Sequence, residues 1–95
     1  MKGVIHMSDI IKRASAGTME SSDAYVEISP ADKGLEISLD SVVQQQFGEA
    51  IEKVVLEVLT DCGVQNAKVN VIDKGALDCV IRARVETAVM RGRGE

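Results

Sequence analysis

Two adjacent hydroxyls between two carboxylates, Glu20-Ser21-Ser22-Asp23, are the residues of this chain whose types and spacing invite chemistry. A serine becomes a nucleophile when a positioned base takes its proton. Here the sole histidine is His6, and no GxSxG elbow surrounds either serine. Ser21 therefore reads as a point of attachment for a group added by another enzyme, and no catalytic residue is expected. Glycine tolerates positive φ, and serine and aspartate bond their own backbone, so the stretch after Gly17 predicts a tight exposed turn over Glu20 to Asp23. A turn serine is ordinarily only a turn former, and the local sequence by itself does not go further.

The other reactive types are scattered. Cys62 and Cys79 form neither a CxxC pair nor a cluster with histidine, which removes zinc and redox motifs and leaves them as small buried apolar groups. No metal site is expected. Asp78 and Arg82 stand four apart in the order that favours a surface ion pair, while Arg91 and Arg93 near a helix end suit the macrodipole and are expected to be solvated. Arg82 and Arg84 are two apart, so on a helix they point to different sides and cannot close on one phosphate or carboxylate.

Composition sets the scale of what must position these groups. Ninety-five residues suffice for one small domain without a deep catalytic cleft. With 45% hydrophobic residues but one Phe, one Tyr and no Trp, the core must be aliphatic. Neither a stacking platform nor a basic groove is available at a net charge of −4, so nucleic acid is not an expected partner. The apolar pair Val4-Ile5 is too short for a signal sequence or a membrane span, Met7 offers an internal start, and the expected compartment is the cytoplasm, with no membrane partner. His6 reads as a tail residue.

Period-two alternation marks the strands. Ala14 to Met19 offers a short edge strand, Asp23 to Ser29 its partner, and Leu35 to Asp40 a third strand after the Pro30 to Gly34 turn, which together predict a three-strand meander. Ser41 followed by Gln44 has the form of a capping box, and Val43, Phe47, Ala50, Ile51, Val54, Val58 and Leu59 recur at helical spacing. Gly63 supplies a left-handed cap, so this helix is predicted from Val42 to Cys62. A fourth strand spans Ala67 to Ile72, and a last helix turns Leu77, Val80, Ile81, Val85, Ala88 and Val89 inward. The order βββαβα predicts a two-layer α+β domain: a four-stranded, mainly antiparallel sheet of unread strand order, with two helices on one face. The third and fourth strands, joined through a helix, run parallel if they are neighbours. Residues 1–13 are expected to be a disordered lead-in, residues 14–91 the single domain and residues 92–95 a short tail.

Three blocks, Ala16 to Asp23 (AGTMESSD), Gln46 to Ile51 (QFGEAI) and Asp73 to Arg84 (DKGALDCVIRAR), resemble the acyl carrier (gamma) subunit family of citrate lyase. Together they span Ala16 to Met90 in matching order; the longer stretch before Ala16 and the end at Arg91 to Glu95 depart from the pattern without touching it. The resemblance implies a carrier that is not a catalyst, with a fold unlike the four-helix carrier of fatty-acid synthesis. It implies a phosphoribosyl-dephospho-coenzyme A arm joined by a phosphodiester to Ser21. Ser22, at a position where the resemblance admits glycine or serine, is the alternative site. Implied partners are the citrate lyase alpha (transferase) and beta (lyase) subunits and the transferase that installs the arm, with acetyl and citryl thioesters as cargo. The similar carrier of malonate decarboxylase, and an interaction module without an arm, are the competing readings.

Overall fold

The computed structural model describes residues 9–95, apart from the side chains of residues 44 and 45; the readings of Val4-Ile5, His6 and Met7 lie outside the described residues. Strands β1 (Ala14–Gly17), β2 (Ala24–Ser29) and β3 (Leu35–Ser41) precede helix α1 (Gln44–Asp61), strand β4 (Ala67–Asp73) and helix α2 (Asp78–Gly92). The element order and the two-layer α+β architecture are as predicted. Alternation does the local work: Ala24, Val26 and Ile28 are fully buried under the helices while Tyr25, Glu27 and Ser29 between them remain half-exposed.

The strand order is β1-β2-β4-β3, which corrects the expected meander. β4 lies between β2 and β3, antiparallel to the first (Val26 opposite Val71) and parallel to the second (Ile37 opposite Val69). Burial explains the choice. Ala67, Val69 and Val71 of β4 are at most 1% exposed, whereas Leu35, Ile37 and Leu39 of β3 are only half-buried. A fully buried Val or Leu stabilises by about 1.5–3 kcal/mol, so the strand whose whole inner row is apolar gains most in the middle of the sheet. The β3–α1–β4 crossover then satisfies the requirement that parallel neighbours be joined over the face of the sheet.

The helices depart from expectation at their starts. Ser41 is the last residue of β3, not a helix cap; its Oγ accepts from the Val43 amide (3.1 Å), and Val43 occupies the N-cap without a side-chain hydrogen bond. Phe47 and Ala50 were expected inside and are exposed, as is Leu77, the N-cap of α2, at 72%. The rest of the expected face of α1, Ile51, Val54, Val58 and Leu59, is buried as predicted, joined by Val55, where the helix meets α2 and the sheet. Its C-terminus is as predicted: Gly63 (φ +76°) donates to the Thr60 carbonyl and Val64 to the Leu59 carbonyl, the two bonds of a Schellman cap.

Residue 10 at one end of the described residues and residues 91–93 at the other make contacts with the domain. Ile10 is 5% exposed and part of the core, and the Ile11 and Lys12 amides donate to the Gly92 carbonyl (2.9 and 3.2 Å), although the Ile11, Lys12 and Arg13 side chains are exposed. Gly92 is buried because a Cβ there would stand 3.0 Å from Ile10 and 3.2 Å from Ile28. Arg91 stays exposed, as expected, while also donating to the Ser15 carbonyl (2.8 Å); Arg93 is half-buried and donates to the Cys62 carbonyl. Arg82 pairs with Glu57 of α1 (2.5 Å) and not with Asp78.

Candidate functional site

The connection from β1 to β2 begins at Gly17, where φ is +94° and a Cβ would fall 1.8 Å from the Ala24 carbonyl oxygen. Only glycine fits there. Beyond it Thr18 Oγ1 accepts from the Glu20 amide (3.2 Å) and donates to Asp23 Oδ2 (2.7 Å), and the Asp23 amide donates to the Glu20 carbonyl (3.1 Å). This closes the predicted Glu20–Asp23 turn. Ser22 stands at φ +67° while Ser21 does not enter the left-handed region, the pattern of a type II turn with a serine where glycine is usual. Ser21 and Ser22 are both exposed, and among the described residues the Ser21 hydroxyl has no hydrogen-bond partner.

Two devices hold this turn still. The Ser22 amide donates to the Lys74 carbonyl (2.8 Å) and the Lys74 amide to the Asp23 carbonyl (2.9 Å), which continues the β2–β4 ladder past the strand ends. From the other side Arg84 of α2 grips Asp23 with two of its three guanidinium nitrogens, Nε to Oδ1 at 2.9 Å and Nη2 to Oδ2 at 3.0 Å. The Ala24 amide adds a bond to Oδ1 at 2.7 Å. The Arg84 guanidinium first, then the Thr18 hydroxyl and the Ala24 amide, hold the Asp23 carboxyl far below the usual carboxylate range. A carboxylate so fully engaged is a poor base.

Beneath the turn lies Asp73, the one buried charged residue among those described, at 1% exposure. Its Oδ1 accepts from the Ala76 and Gly75 amides (2.8 and 3.2 Å) and its Oδ2 from Ser41 Oγ (2.7 Å), while its carbonyl accepts from the Val42 amide (3.1 Å). The Asp73-Lys74-Gly75 run thereby ties β3, β4, the entry to α2 and the serine turn into one end of the molecule. Sequence reasoning took this run as a strand breaker and missed the roles of Asp73, the Lys74 backbone and Arg84. The signal was present in part, since Arg82 and Arg84 do diverge to separate carboxylates, but both lie within this chain.

The remaining sequence candidates stay apart from the turn. Cys62 is half-buried and its thiol is pushed up by burial, whereas Cys79 is exposed, contrary to expectation, because it follows the first residue of α2 on the outer side. Among the described residues no three His, Cys, Asp or Glu side chains group as metal ligands, and no helix is long and apolar enough to cross a membrane.

Residues 11–92 match the acyl carrier family described as malonate decarboxylase delta subunit. The citrate lyase acyl carrier protein of Escherichia fergusonii is 57% identical over 84 residues, covering 87% of each chain. That of Vibrio cholerae serotype O1 is 61% identical over 79 residues, 82% of this chain and 81% of the relative. The chain belongs to the citrate lyase acyl carrier protein family. Such proteins carry acyl groups and are not themselves catalysts. A Pseudomonas malonate decarboxylase hetero-tetramer, crystallised with malonate, contains a chain of the same fold as this carrier (TM-score 0.73, 25% identity, 85% of this chain and 84% of that one).

Proposed function

We propose that this carrier holds acetyl and citryl groups on a phosphoribosyl-dephospho-coenzyme A arm attached through a phosphodiester to Ser21, and presents them to the alpha and beta subunits of citrate lyase in the cytoplasm. The observation that supports the reading is the exposed Ser21 hydroxyl, without a hydrogen-bond partner among the described residues, on a turn pinned at both flanks. An oxygen acceptor is the chemistry a phosphodiester requires, and nothing in the turn would crowd the attached group. When bound, the arm supplies a terminal thiol for thioester chemistry. The protein's own residues contribute placement: Arg84, Thr18 and the Lys74 backbone keep the attachment point at a fixed position on a rigid domain, and Arg84 cancels the charge of Asp23 beside an anionic linkage. Tethering then replaces a bimolecular encounter by an intramolecular one, at effective concentrations in the millimolar range for a short linker.

The malonate decarboxylase carrier is the second reading, favoured by the matched family description and the Pseudomonas structure. Identity of 54–61% to citrate lyase carriers against 25% to the decarboxylase chain supports the first. Co-expression with the transferase that installs the arm tests it: the wild type and Ser22→Ala should gain the mass of the arm, and Ser21→Ala should not. Full modification of Ser21→Ala would move the site to Ser22.

A further inference from the structure

The end of the molecule that bears the serine turn also bears an apolar groove. It encloses about 340 Å³ between the start of α1 and the β4–α2 connection, lined by Val43, Phe47, Ile51, Asp73, Ala76 and Asp78 among others. Phe47 of the lining is 52% exposed, and two residues next to the lining in sequence are exposed as well, Val42 at 63% beside Val43 and Leu77 at 72% between Ala76 and Asp78. Groove and turn are contiguous, because Asp73 and Gly75 flank Lys74, whose carbonyl takes the Ser22 amide at 2.8 Å.

Helix stability does not account for these side chains. Ser, Thr, Asp and Asn are the residues that stabilise an N-cap, and Val and Leu are among the poorest. Yet Val43 and Leu77 occupy the N-caps of α1 and α2, and neither cap has a side-chain hydrogen bond. The chain's only Phe sits one turn into α1, outside the core. Local rules broken together at one place mark a site kept for something other than folding, and exposed aromatic and aliphatic anchors around a concave patch are the usual centre of a protein interface.

Resting on the arm at Ser21, we propose that this groove is the docking surface for the citrate lyase subunits that receive the arm, and that it takes an apolar ridge flanked by a lysine or arginine. A subunit that draws a short arm into its own site must come within the arm's reach of Ser21, and this groove is the apolar surface beside it. Charge selects the partner. The lining contains two aspartates and no cation, and of these Asp73 is saturated by internal donors while Asp78 is exposed. A second copy of this chain would bring like charges together in a symmetric contact, and a basic flank on the partner would meet Asp78 instead.

The test measures the affinity of full-length carrier bearing its arm for immobilised alpha and beta subunits. Phe47→Asp and Leu77→Asp should each weaken binding at least tenfold, Asp78→Lys should weaken it and reduce its salt dependence, and Met90→Asp on the outer side of α2 should stay within twofold. Thermal melts by dichroism show that each variant is folded; because Leu77 is exposed, its variant remains informative if Phe47→Asp melts early. Unchanged affinity in both Phe47→Asp and Leu77→Asp would overturn the proposal, as would equal weakening by Met90→Asp or a carrier dimer abolished by Leu77→Asp. Intact mass reports the arm separately. If the arm were found on another residue while the groove variants still lost binding, the docking surface would stand and the Ser21 reading would fall.

Discussion

At the scale of single residues the account turns on Asp23 and Arg84, which no local pattern in the sequence joins, since sixty-one positions separate them. The folded-state carboxyl is depressed by Arg84, so its ionised form contributes stability that is present above the ordinary carboxylate value of about 4 and is lost as the pH falls toward the folded value. Asp23→Asn should therefore flatten the acid limb of the stability curve below pH about 4, read by urea unfolding at a series of pH values. An unchanged limb would show that the pair contributes nothing. Arg84→Gln should speed amide exchange at Ser22 and Asp23 and slow installation of the arm, with part of the rate restored by lysine, while bulk stability changes little. Backbone demands are sharper still. Gly17→Ala meets both a left-handed φ and the Ala24 carbonyl and should cost more than about 2 kcal/mol in a denaturation midpoint, whereas Ser22→Gly should be neutral or gain up to about 1 kcal/mol. Ser21→Ala should stay within about 0.5 kcal/mol, because its hydroxyl is exposed and has no hydrogen-bond partner among the described residues.

At the scale of elements, the strand stretches were legible because alternation is a local property: Ala24, Val26 and Ile28 announce a one-sided strand by themselves. The order of the strands was not. It depends on comparing how deeply whole inner rows are buried, which sets Val69 and Val71 of β4 in the centre and the half-buried β3 at an edge. Helix starts misled for a related reason. Phe47 and Leu77 have core-type side chains at helical spacing, and periodicity cannot distinguish an apolar face that meets the sheet from one that overhangs it. Asp73 is where this scale can be probed. Asp73→Ala would leave the Gly75 and Ala76 amides and the Ser41 hydroxyl without their acceptor, so it should cost about 1–3 kcal/mol. Hydrogen exchange should rise at the entry to α2 and at the serine turn together, since Lys74 links the two. Rising exchange at only one of them would contradict a shared anchor.

At the scale of the whole molecule, the domain is a platform whose two helix starts, two strand ends and one hairpin tip converge on a single face around Ser21. The opposite end is closed by Ile10 packing on Gly92 and Ile28, so Ile10→Ala should lower global stability by about 2 kcal/mol while leaving modification of the turn untouched. The expectation of a turn serine free of catalytic partners was available from residue types alone; that the turn is clamped to both β4 and α2 needed the fold. On the proposed function, the domain serves to present the Ser21 hydroxyl. The most direct measurement of that role is the intact mass of the carrier purified from its native complex, followed by fragmentation of the peptide spanning the turn. The account predicts a single added mass equal to the arm, localised to Ser21; an unmodified chain in an active complex, or the added mass on Ser22, would contradict it.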